Sequence, residues 1–133
     1  MSILVKNSQL NNEAVAALNM LMELDINASV AFRLSRIIRE ISSIVDDKVK
    51  MEKKIFDKWV DRDEDGNPIP AKDAEGNLVD GAVNITNIDE FTREMSMLMD
   101  VVNEIPYDRV NFEDLELKTA KVKDLMKLEF LFD

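Results

Sequence analysis

The chain has 133 residues, with 17 Lys and Arg against 27 Asp and Glu, a formal net charge of −10, and no cysteine or histidine. That excludes disulfides, zinc–thiolate sites, cysteine nucleophiles and any histidine base or ligand. It also makes a poor direct nucleic-acid binder, because cationic contacts to phosphate supply most of that affinity.

Hydrophobic residues make up 46% of the chain, enough for a core, so one folded domain over residues 1–133 is expected. The opening MSILVKNSQL lacks the anatomy of a signal peptide. No apolar stretch approaches the ~20 residues of a membrane span. A soluble, intracellular protein without a membrane partner is the expectation, and the absence of cysteine fits a reducing compartment.

In chain order, Ile3, Leu4 and Val5 favour a short strand. The stretch KNSQLNN then offers Asn7, Ser8, Asn11 and Asn12 as caps for a first helix ending near Leu24. Leu10, Ala14, Ala17, Leu18, Leu21 and Leu24 recur at helical spacing. Asn27 can cap the next helix. Val30, Leu34, Ile37, Ile38, Ile41, Val45, Met51, Ile55 and Trp59 carry one apolar seam through 28–59 with no Gly or Pro. About thirty residues at ~1.5 Å each make a rod of roughly 45 Å.

Residues 61–86 change character. All three glycines lie here, and DGNPI at 65–69 and EGNLV at 75–79 form a degenerate pair ten residues apart. Each reads as a turn followed by strand residues, giving a projecting acidic hairpin or small meander. Asn87 opens a third helix with Glu90 at the capping-box offset. Ile88, Phe91, Met95, Leu98, Val102 and Ile105 extend its seam to Pro106. YDRVNF, 107–112, is a candidate strand to pair with residues 3–5. Thr119 is a candidate cap for a last helix holding Val122, Leu125, Met126, Leu128 and Leu131.

Asp61, Asp63, Asp65 and Gly66 match the opening of a calcium loop. The position that should supply a bidentate glutamate is Lys72, and Pro68 stands where an apolar strand residue belongs. The three aspartates are weak metal candidates, and a turn is the preferred reading.

Arg33, Arg36 and Arg39 form either a basic face or a solvated one with local pairs such as Arg36–Glu40. Eight methionines are core filling by default, although Met95, Met97 and Met99 cannot share one helical face. The chain shows no phosphate-binding glycine loop and no nucleophile elbow, so no enzyme, catalytic residue or cofactor is expected.

Charge is uneven. Residues 28–60 carry eight Lys and Arg against five Asp and Glu, and residues 61–133 carry eight against nineteen. The acidic surplus serves solubility, or it attracts a basic partner, or it mimics nucleic acid.

The order of pieces, with VKNSQL, DKWVDRDEDGN, NIDEFTREMSMLMDVVNEIPYDRV and LKTAKVKDLMKLEFLFD, resembles a family of small proteins of unknown function from tailed bacteriophages and prophages of Gram-positive bacteria. An aromatic residue commonly precedes the glycine-rich segment in that family, as Trp59 does here. The family's last helix often opens with Leu-Ser or Leu-Thr, from which Leu117-Lys118-Thr119 departs. The resemblance implies a phage source and a fold, with no activity attached.

The expected fold is α+β: mainly a helical bundle with one long helix at about 28–59 and a small hairpin or sheet. The expected function is a non-enzymatic phage protein acting through protein–protein contacts, a minor virion or assembly component. The alternative is an early protein that binds and inhibits a host factor, through acidic mimicry. Its place is the cytoplasm of the infected bacterium, or the virion. A homo-oligomer is expected, because the apolar stripe is wider than one partner helix needs. Ile44, Met51 and Phe56 widen it, and Phe130 and Phe132 supply a second patch at the C-terminus unless that segment docks on its own domain.

Overall fold

A computed structural model describes residues 2–24, 26–111, 113 and 126–132, with the backbone alone for Asp80. The fold is α+β. In chain order it has β1 (Ile3–Lys6), a 3-10 turn (Asn7–Gln9), α1 (Asn12–Glu23) and α2 (Ala28–Trp59). β2 (Pro70–Lys72), β3 (Leu78–Val83), α3 (Ile88–Met99), β4 (Val102–Ile105) and a second 3-10 turn (Glu129–Leu131) follow. The contacts group these into two compact units, Met1–Lys48 with Met99–Asp133, and Val49–Leu98. The 32-residue α2 runs through both.

The first unit holds the main core. β1 alternates, with Ile3 and Val5 buried and Leu4 and Lys6 exposed. It pairs antiparallel with β4 in the register Ile3↔Ile105 and Val5↔Asn103. Asn7 is buried, and its Oδ1 accepts from Asn103 Nδ2 at 2.8 Å. That amide also donates to the Val5 carbonyl, so the polar groups under the small sheet are satisfied inside the fold. Asn11 caps α1 by accepting the Ala14 N–H at 2.9 Å. Asn27 does the same for the start of α2 through the Ser29 N–H.

Helices α1 and α2 deliver Ala14, Leu18, Leu21, Leu34, Ile37 and Ile41 to the core shared with Ile3 and Ile105. Leu128, Phe130 and Leu131 from the chain end complete it. The Val110 N–H donates to the Leu131 carbonyl at 2.9 Å, and Val110 bridges Phe132 in parallel.

The third helix stops at Met99, not at Ile105 as its seam suggests. Val102 and Ile105 lie in β4, and β4 takes the place beside β1 expected for 107–112. Three-residue spacing suits both readings. In a helix it keeps two residues on one face, and in a strand it puts them on opposite faces. Here Val102 is exposed and Ile105 is buried, the strand outcome. Pairing with β1 satisfies the backbone of both segments, which outweighs weak helical propensity at the β-branched Val101-Val102 pair.

The capping box is half present. The Glu90 N–H meets Asn87 Oδ1 at 3.3 Å, but the Glu90 side chain pairs with Arg93 at 2.7 Å. Of the expected last helix, Thr119, Val122 and Leu125 lie outside the described residues. Leu128 and Leu131 are buried, Leu131 in a 3-10 turn and not in an α-helix, whereas Met126, grouped with them by spacing, is 68% exposed.

In the second unit, the chain leaves α2 and folds into a meander of two like turns. The Gly66 N–H donates to the Asp63 carbonyl and the Gly76 N–H to the Asp73 carbonyl, both at 3.0 Å. Asp63 Oδ1 accepts the N–H groups of Asp65 and Asn67, and Asp73 Oδ1 those of Glu75 and Asn77. Gly66 and Gly76 have φ of 83° and 87°, the left-handed position that closes a type I hairpin turn. At the base, Asp61, Ile69 and Asn84 join three segments in a closed ring of backbone bonds. The Asp61 N–H donates to the Asn84 carbonyl, the Ile69 N–H to Asp61, and the Asn84 N–H to Ile69.

Candidate functional site

The second unit buries little. Among its described residues only Ile55 and Val60 are buried, and α3 has no buried residue. Yet Ile88, Phe91, Met95 and Leu98 repeat at spacings of three and four along α3, the pattern of a helix built to cover an apolar stripe. Phe91, Met95 and Leu98 are half-buried and Ile88 is 56% exposed. Leu78 on the meander is 65% exposed, and on α2 Met51 is 43% exposed. With no side chain fully buried, α3 leaves part of its apolar stripe, Ile88 above all, open to a partner.

A polar contact ties α3 to the end of α2. Glu94 accepts from Lys58 Nζ on one carboxylate oxygen at 2.6 Å and from Trp59 Nε1 on the other at 2.8 Å. The Lys58 ammonium also lies 4.9 Å from the centre of the Trp59 ring. The hydrogen bond from Lys58, then that from Trp59, hold the Glu94 carboxyl below its ordinary value against the opposing effect of desolvation. The positive charges of Lys58 and Arg93 add to the lowering. Arg62 braces the first turn, donating to the Gly66 carbonyl at 2.8 Å and to Asp57 at 3.1 Å. These groups set geometry. The bonds from Lys58 and Trp59 that lower the Glu94 pKa also make its carboxylate a weak base.

The expected interaction residues separate. Met51 and Phe56 fall in the second unit, exposed and half-buried respectively. Ile44 packs half-buried against the core of the first unit. Phe130 is in that core, and Phe132 packs against it beside Val110, so the chain end docks on its own unit and neither phenylalanine forms a separate surface patch. The calcium-like aspartates also have other duties. Asp61 accepts from Asn84 Nδ2 at 3.1 Å, Asp63 caps its own turn, and Asp65 is exposed at the tip. Among the described residues no three carboxylates converge as metal ligands would.

Arg36 lies over the Phe32 ring at 4.9 Å, and the described ion pairs do not include Arg36–Glu40. Spacing places Ile88 in an apolar seam and Leu78 at an ordinary strand position, and neither pattern signals the exposure that the structure shows.

No protein-family model matches the chain, and neither a curated protein nor a solved structure matches it. Among the described residues no helix is long and apolar enough to cross a membrane.

Proposed function

We propose that this is a non-enzymatic bacteriophage protein that works through protein–protein contact, as a minor virion or assembly component, and that it self-associates through the second unit. The observation that carries this reading is α3: a regular apolar stripe on a helix with no buried residue. Its phage source is the expectation raised by the order of pieces, and the cytoplasm of the infected bacterium or the virion is the place that goes with it. Self-association is supported by charge as well. Exposed Lys50, Lys53 and Lys54 lie along the end of α2, while Asp63, Glu64 and Asp65 occupy the tip of the first turn, so one copy offers both signs to another.

The two acidic turns, alike in geometry and ten residues apart, favour a second reading in which they dock on a basic host factor. Cross-linking separates the two. The chain has no cysteine, so Met51→Cys or Met97→Cys gives a clean single thiol. Disulfide-linked dimers under mild oxidation support self-association. A monomeric product at every position along α3 and the end of α2 argues against it.

A further inference from the structure

The first unit carries a recess that the contact function does not use. Arg33, Arg36 and Ile37 of α2 line it with Tyr107 and Asp108, around a volume of about 290 Å³. Arg33 and Arg36 are one turn apart on the same helix, so both guanidinium groups border the same space. Among the described residues neither makes a hydrogen bond or a close ion pair, and the charge of Arg33 acts on the Asp108 carboxylate across the recess. Stacking over Phe32 orients Arg36 without neutralising it.

Two guanidinium groups favour an oxyanion, since their paired donors match its geometry. Asp108 sets a further condition. Its carboxylate already has a partner, but a carboxylate has about four lone-pair positions and so can accept again. A fully deprotonated anion beside it meets like-charge repulsion. A protonated oxyanion donates its own hydrogen to Asp108 while the arginines take its other oxygens. A phosphate monoester carries such a proton at and below its second pKa of about 6, whereas sulfate does not. At ~30 Å³ per water the recess holds roughly ten waters, more than a bare tetrahedral ion displaces, so an ester group also fits.

We propose that the recess of Arg33, Arg36, Tyr107 and Asp108 binds a protonated phosphate group, as free phosphate or as the end of a small phosphomonoester. The two arginines hold its charge, the Asp108 carboxylate accepts a hydrogen bond from its P–OH group, and Tyr107 forms the wall.

Tyr107 is the only tyrosine and Trp59, in the other unit, the only tryptophan, which gives a local probe and an internal control. The experiment follows the ring signals of both by NMR, at pH 6 and constant ionic strength, on adding sodium phosphate, glycerol phosphate, sodium sulfate or sodium chloride. Phosphate or glycerol phosphate shifts Tyr107 saturably in the millimolar range or below and leaves Trp59 unmoved. The tighter of the two identifies the free ion or the ester as the ligand. Sulfate binds at least about tenfold more weakly, and Asp108→Asn removes that preference. Arg33→Gln and Arg36→Gln each weaken phosphate binding by about tenfold or more, while Arg39→Gln, outside the recess, does not. A Tyr107 response to phosphate no larger than that to chloride overturns the proposal. So does equal binding of sulfate by the unaltered protein, a result that holds even if Asp108→Asn fails to fold. Unchanged affinity in both arginine variants overturns it as well.

Discussion

Trp59 donates its indole Nε1–H to Glu94 Oε2 over 2.8 Å, joining the last residue of α2 to the middle of α3 across 35 positions of sequence. Lys58 holds the other oxygen of the same carboxylate. In a unit with so little buried surface, this triad positions the third helix. Glu94→Gln keeps an acceptor but loses the charge that both donors favour. The Trp59 emission is expected to move to longer wavelength in Glu94→Ala and less so in Glu94→Gln. Identical spectra for both variants and the unaltered protein would show that the triad does not hold the indole.

The same carboxylate predicts an acid response. Its pKa is lowered in the folded state, chiefly by the hydrogen bonds from Lys58 and Trp59. The stabilisation is therefore full above the ordinary glutamate value of about 4.3 and is lost as pH falls through the lowered folded value. Glu13, lowered by its bond to Lys127, acts in the same direction in the first unit. Trp59 fluorescence followed from pH 7 to pH 2 is expected to stay flat until below the ordinary glutamate range and then change. A midpoint above that range contradicts the assignment.

The two units are expected to respond differently to truncation. Ile41 is 2% exposed within the main core, whereas Phe91 is half-buried in the second unit. Ile41→Ala is expected to cost about 2–5 kcal/mol, the range for deleting a packed aliphatic side chain. Phe91→Ala is expected to cost less, because its site is already partly in water. Urea unfolding at concentrations where the protein is a single chain measures both, and a larger loss there for Phe91→Ala would mean that its face is covered within the unit itself.

The meander is expected to divide at its base. Val60 bridges Ile85, and Asp61, Ile69 and Asn84 close the backbone ring, so this part belongs to the structure of the unit. The outer turn around Asp73–Asn77 adds only exposed residues. Replacing Lys72–Asp80 with a short Gly-Ser link is expected to leave helical circular dichroism intact, and Asp61→Pro, which removes the N–H given to Asn84, is expected to disturb Trp59. Loss of helix in the linker variant would place the outer turn in the core.

Where sequence and structure agree, the signals are local. The bounds of α1 and α2, the caps at Asn11, Asn27 and Asn87, and the two Asp–Gly–Asn-type turns all rest on residues within five positions of each other. Where they part, the deciding partner is distant. Val102 and Ile105 fit a helical seam until Ile3 and Lys6 are known to lie opposite them. Phe130 must dock on its own domain or on a neighbour, and only the core it shares with Ile3 and Leu128 decides between them. The Trp59–Glu94 bond and the Arg33–Tyr107 recess join residues with no pattern between them, so neither was legible.

Self-association through the second unit is the central claim, and sedimentation equilibrium across the micromolar range tests it most directly. The account predicts an average mass that rises with concentration above the 15.2 kDa of one chain, and that falls back to one chain in Met51→Asp and Phe56→Asp. A single species of 15.2 kDa for the unaltered protein at every concentration would contradict it.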